Sequence, residues 1–146
     1  METVTSVITF EGYTVKRLSF TPKKPASATE DDTCVGFSPV FERKIKWNKD
    51  GDCRVTLTAT VGQPDDNMPF IATASIVGQF KVPDAKKANE LMEVNGTAIL
   101  YPYLRAVMTQ LTSTANLPPV YLPIINLVEM LKVKDKAKID SKESND

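Results

Sequence analysis

The feature that most restricts this chain is a change of hydrophobic period near its middle, from two residues to between three and four. From Cys53 to Val61 the apolar residues Cys53, Val55, Leu57, Ala59 and Val61 alternate with Arg54, Thr56, Thr58 and Thr60. Alternation of this kind puts every apolar group on one face of an extended strand, and the intervening threonines favour that conformation. The same period runs through Phe70, Ala72, Ala74, Ile76 and Phe80, and through Val35, Phe37, Phe41, Ile45 and Trp47. The spacers Asn48-Lys49-Asp50-Gly51 and Gly62-to-Asn67 are rich in turn-forming residues, so three consecutive antiparallel strands are predicted. Pro39 cannot donate to a ladder, which places the first of the three at a sheet edge or on a bulge.

The N-terminal segment is also extended, but its apolar phase moves from even (Ile8, Phe10) to odd (Tyr13, Val15) and back to even (Leu18, Phe20). A bulge or break near Gly12 accounts for such a shift. The following stretch, Thr21 to Thr33, is too long and too polar for a tight hairpin and predicts a Greek-key-like crossover. In the second half, Leu100, Tyr103, Leu104, Val107, Met108 and Leu111 take helical spacing, giving a long helix over 97–115 with Pro102 expected in its first turn. Before it, Asp84 to Glu93 reads as a short helix stopped by Asn95-Gly96. A further helix is expected from Asn126, which caps it, with Glu129 completing a capping box. The charged residues 134–146 are expected to form a disordered tail behind a single domain of residues 1–133.

Composition removes several classes of function. The 18 basic and 18 acidic residues of this 146-residue chain cancel, so no global field favours nucleic acid or an anionic membrane. No apolar run approaches the roughly 20 residues that span a bilayer, and the first residues lack a basic-then-apolar leader, which implies a cytoplasmic protein. Histidine is absent, which excludes hydrolases built on a histidine base and removes the commonest metal ligand. Glu30-Asp31-Asp32 and Asp65-Asp66 lie among Pro, Ser, Thr and Asn, where acids are normally just solvated. Cys34 and Cys53 form no close-spaced motif and read as buried reduced thiols. No phosphate-binding glycine loop is present. No enzyme activity, cofactor or metal is expected.

Three local motifs carry a resemblance. Ile99-Leu100-Tyr101-Pro102-Tyr103, with Arg105 after it, resembles the Ile-Leu-Phe-Pro-Tyr start of the long helix in the SecB family of export chaperones. Leu117 to Leu127 resembles the family's proline-rich crossing between helices, and Lys16-Arg17-Leu18-Ser19-Phe20-Thr21-Pro22 resembles its Lys-Asp-Ile-Ser-Phe-Glu-x-Pro segment. The resemblance implies an α+β fold of four antiparallel strands, a long helix and a shorter C-terminal helix. It also implies a homotetramer, a dimer of dimers, that holds unfolded polypeptides without ATP in the service of protein export. The alternatives are a chaperone dedicated to one client, such as an antitoxin, and a small-ligand domain on the same scaffold.

Candidate polypeptide-binding residues are Trp47, Tyr101, Val120, Tyr121, Leu122, Ile124, Ile125 and Leu127, since large amphipathic and apolar side chains anchor many sequences. Tyr121, Leu122, Ile124 and Ile125, in the proline-rich crossing, are expected on the surface. Phe70, Phe80 and Met108 are expected in the core. The family's acids that contact the motor ATPase SecA correspond to Arg17, Thr21 and Thr73, so the resemblance implies that any SecA contact is weakened.

Overall fold

Strands β1 (Thr9–Pro22), β2 (Val40–Trp47), β3 (Asp52–Val61) and β4 (Phe70–Lys81) form one antiparallel sheet in the order β1-β4-β3-β2. The computed structural model describes residues 8–24, 38–48, 52–82, 92–115, 119–124 and 126–131. Outside them lie Cys34, the strand start expected at Val35 and Phe37, most of the helix expected from Asp84, Ile125, Val133 and the tail. The order is that of a Greek key: β2, β3 and β4 follow as hairpins, and β1 lies beside β4. β2 is an edge strand and begins just after Pro39, as the missing amide requires.

β1 holds its apolar residues on one face by two irregularities rather than one. Register against β4 shifts between Phe10 and Gly12 and again between Val15 and Arg17. Each shift adds one residue to β1, and each matches one change of apolar phase. Gly12 has φ 110°, a conformation that side-chain-bearing residues rarely adopt. Phe10, Tyr13, Val15, Leu18 and Phe20 thereby oppose Phe80, Gly78, Ile76, Ala74 and Ala72, all on one face of β4.

That face packs on helix α1 (Thr97–Thr114), which buries Leu100, Tyr101, Leu104, Val107 and Met108 against β3 and β4. Phe70, Phe80 and Met108 are core residues, as expected. Two local expectations are corrected. Asn95-Gly96 does not stop a helix, because a π-helical turn, Met92–Gly96, leads straight into α1. Gly96 is helical (φ −61°, ψ −44°) and serves close approach: a Cβ there would lie 2.8 Å from Met92 Cε and 3.2 Å from Val55 Cγ2. Pro102 lies inside α1 rather than in its first turn. It is tolerated because it and Ala98, whose carbonyl loses its helical partner, are both exposed, so water can serve that carbonyl.

The β3–β4 hairpin is organised by Asp66. Its Oδ2 accepts the Gln63 amide at 2.8 Å and its Oδ1 accepts the Met68 amide at 3.0 Å. Lys23, just past β1, places its ammonium 2.7 Å from Oδ1 and also donates to the Asp66 carbonyl at 2.8 Å. Burial alone would raise the Asp66 pKa, but these hydrogen bonds and the lysine charge outweigh it and hold the carboxyl below its ordinary value. The residue pair Asp65-Asp66 is thus part turn architecture rather than simply solvated acid.

Candidate polypeptide-binding surface

After α1 the chain returns in extended form along the helix. Residues 119–124 are tied to α1 by side chains spaced along its length. The Tyr101 hydroxyl donates to the Pro123 carbonyl at 2.7 Å, Arg105 Nε to that of Leu122 at 3.0 Å, and the Thr109 hydroxyl to that of Val120 at 3.2 Å. The Val120 amide in turn donates to Thr112 Oγ1 at 2.8 Å, and that hydroxyl donates to the Met108 carbonyl at 2.9 Å. An irregular segment between prolines has no ladder of its own, so these side chains satisfy backbone groups that would otherwise be buried unpaired. Burial raises the Tyr101 pKa, with Arg105 opposing, so the phenol stays protonated and remains a donor.

The strap splits the residues expected to lie together at the surface. Val120 and Leu122 point inward, with Leu122 1% exposed, while Tyr121 is 65% and Ile124 88% exposed. Leu122 is therefore core, a correction to its expected surface position: alternation along an extended segment gives neighbours opposite faces, and one face lies on α1. Tyr101 and Leu127 are likewise buried. Leu127 opens a short helix, residues 127–131, where Asn126 Oδ1 accepts the Glu129 amide at 3.2 Å, as the capping pattern predicts.

Tyr121 and Ile124 flank two clefts that meet on the solvent side of α1. One, about 540 Å³, is lined by Arg105, Thr109, Gln110 and Tyr121; the other, about 220 Å³, by Ala98, Tyr101, Ile124 and Leu127. Pro102 and Arg105 line both. Trp47 is not part of this surface. It lies half-buried at the far end of β2, in a separate cleft of about 510 Å³ with Lys46, Arg54 and Gln79, and its buried indole N–H has no partner among the described residues.

A second apolar surface was absent from the sequence-based site. On the helix side of β1, Tyr13 is 38%, Val15 41% and Leu18 49% exposed. Rings continue it into the core: Tyr13 lies 4.9 Å from Tyr103, Tyr103 5.7 Å from Phe10, and Phe10 5.0 Å from Phe80. The phase of β1 identified the face, but no local pattern states where the helix ceases to cover it.

Among the described residues no three of His, Cys, Asp and Glu gather as a metal site, and burial pushes the Cys53 thiol up to about 11, far from the thiolate a nucleophile needs. No described helix is long and apolar enough to cross a membrane.

Comparison with known proteins agrees with the fold. The family model for preprotein translocase subunit SecB matches residues 2–138. An uncharacterised protein of Methanocaldococcus jannaschii is 28% identical over 143 residues, 94% of this chain and 90% of that protein. The protein-export protein SecB of Albidiferax ferrireducens is 30% identical over 118 residues, 76% of this chain and 73% of the relative. Among solved structures, a SecB-like chaperone of Mycobacterium tuberculosis, in complex with an antitoxin peptide, superposes with a TM-score of 0.66 at 16% identity, covering 81% of this chain and 90% of that one.

Proposed function

The chain belongs to the SecB family, and from that premise we propose that it is an ATP-independent holdase that binds unfolded or precursor polypeptides and catalyses no reaction. The observation that carries this reading is the display of Tyr121 and Ile124 to solvent on a segment that is itself tied down. Large apolar groups on a fixed scaffold gain contact with an unfolded chain without first losing their own freedom. The clefts on either side contribute small and polar groups, Ala98, Thr109 and Gln110, that set no strict demand on client sequence.

The working assembly on this reading is a homotetramer in the cytoplasm. The exposed stripe Tyr13, Val15 and Leu18, continuous with Tyr103, is apolar area that a second copy would cover. Light scattering should give four times the chain mass at micromolar concentration; a monomer mass would sink the assembly.

SecA is engaged weakly, or through a different surface. Arg17, Thr21 and Thr73 share the sheet face turned away from α1, where they oppose Ser75, Ile71 and Ser19. An exposed arginine where the resemblance implies an acid repels a basic partner surface. A service to one dedicated client, such as an antitoxin, is the second reading, favoured by the antitoxin peptide held by the related fold from Mycobacterium tuberculosis.

The test is suppression of aggregation of unrelated unfolded proteins, without nucleotide. The chain should suppress it for several clients, and Tyr121→Ser with Ile124→Ser should lose most of that effect with the fold intact. Protection of none would refute the general holdase, and protection of one alone would establish the dedicated form.

A further inference from the structure

One end of the sheet forms a cleft in which neither α1 nor the strap takes part. The cleft holds about 510 Å³ and is lined from β2, β3 and β4, with Glu11 from β1. Small-molecule sites occupy about 300–1,000 Å³, so this space exceeds what a bare ion needs.

The charges that line it are not balanced where they stand. Lys46 of β2 lies directly opposite Arg54 of β3, and Arg54 directly opposite Gln79 of β4, so two cations and an amide cross the sheet in one row. Neighbouring strands are about 4.8 Å apart, which lets both cationic side chains converge on a single group. All three residues are exposed, and neither cation joins an ion pair among the described residues. The acids of the cleft are engaged at its other cation, Lys81. Glu11 lies 3.8 Å from that ammonium, and Asp52 is the partner of Lys81 in register on β3. Asp52 Oδ2 also accepts from the Asn48 amide nitrogen at 2.9 Å.

Like charges directly across a ladder destabilise a sheet. A lysine on an edge strand guards against edge-to-edge aggregation, which explains Lys46. It does not explain Arg54, which stands on an inner strand and raises the charge beside Lys46. An anion held between the two removes that repulsion, and the guanidinium fork matches phosphate with two parallel hydrogen bonds. Two positive charges suit one doubly charged group, which a phosphate monoester carries near neutral pH. A longer chain of negative charge would run against Glu11 and Asp52, so nucleic acid is disfavoured. Beyond the cations, half-buried Trp47 supplies an apolar wall for an organic group.

We infer that this cleft binds a small phosphate monoester. The phosphate lies between Lys46 and Arg54, the Gln79 amide donates to a further oxygen, and the organic group fills the space beside Trp47. The site is separate from the strap clefts and does not rest on the holdase reading.

Trp47 is the chain's one tryptophan, so its emission reports on this cleft alone. The probe is phenyl phosphate, titrated against the full chain at fixed ionic strength and followed by that emission and by calorimetry. It should bind about tenfold or more tightly than phenyl sulfate, which has the same shape and a single charge. It should exceed inorganic phosphate by a similar factor, since the bare ion leaves the rest of the cleft empty. Lys46→Gln combined with Arg54→Gln should weaken phenyl phosphate about tenfold or more, with circular dichroism unchanged because both side chains are exposed. Lys44→Gln, on the same face of β2 but outside the cleft, should leave the affinity as it was. Phenyl phosphate binding no better than phenyl sulfate would overturn the proposal, as would binding that survives the double variant. Equal affinity for inorganic phosphate would overturn it by marking an ion site only. Displacement of the ester by a single-stranded oligonucleotide, with Lys44→Gln weakening both, would mark an open polyanion surface and overturn it as well.

Discussion

Strands β3 and β1 have the same chemistry and opposite fates. In both, apolar residues face the α1 side of the sheet; in β3, Val55, Leu57, Ala59 and Val61 are sealed by the helix, while in β1 Tyr13, Val15 and Leu18 remain open. The difference is cover, not pattern. α1 lies over β3 and β4, and β1 at the edge is reached mainly through Tyr103 and Phe10. A face that is apolar but uncovered is available for another molecule, so on the proposed function the binding surface begins where the core ends.

The largest expected effect tests the covered half. Leu57→Ala, in a fully buried position, should destabilise the chain by about 2–5 kcal/mol in urea unfolding. Leu18→Ala should cost under about 1 kcal/mol in the dissociated chain yet lower the assembled mass, because in the proposed tetramer its side chain meets another copy rather than α1. Equal costs at the two sites would erase the distinction between the strands.

The strap offers the same contrast within two residues. Leu122→Ser should cost about 2–5 kcal/mol, since it leaves a cavity and buries a hydroxyl. Tyr121→Ser should change the unfolding free energy by no more than about 0.5 kcal/mol while weakening client binding. A destabilised Tyr121→Ser variant would show that Tyr121 is packed, not displayed.

Asp66 sharpens the comparison at the other end of the sheet, where Lys23 ties β1 to the covered hairpin. Its carboxyl is held below the ordinary value, so the unfolded chain takes up the proton first as pH falls. The stability it supplies is complete above the unfolded pKa of about 3.9 and is lost as pH drops through the lower folded value. Asp66→Asn should cost about 1 kcal/mol at pH 7, with its charge-assisted bonds weakened, and should flatten the acid limb of the stability curve. An unchanged acid limb would show that the contact with Lys23 is not maintained in solution.

The smallest effect concerns the β2 edge. Lys46→Glu, opposite Arg54, should stabilise the sheet by about 0.2–1 kcal/mol and raise Tm slightly. A fall in Tm would mean that the two cations are not in register.

Much of the fold was legible because it rests on local rules. Both phase changes in β1 correspond to register shifts, Pro39 marked an edge strand, the apolar spacing located α1, and Asn126 with Glu129 located the last helix. Each follows from side-chain direction or from the backbone donors of a few consecutive residues. The misread glycine depends on distant partners. Gly96 looked like a helix stop because glycine suits that role, but here it admits Met92 and Val55. Pro102 was placed too early although the helix start at 97 was read correctly, since the sixth residue of a helix already lies beyond its first turn.

The candidate site divides in the same way. The prolines of the crossing marked an irregular segment, and its tyrosine and isoleucines marked it as apolar. Which of Tyr121 and Leu122 faces solvent was undetermined, because the rotation of an extended segment about its own axis is set by its hydrogen bonds. Those donors, Tyr101, Arg105 and Thr109, stand up to 22 residues earlier in the chain. The sequence by itself determined the faces, the period and the family. Only the tertiary structure decided which apolar faces are covered, since burial belongs to the packing of α1 and the strap on the sheet and not to any one segment.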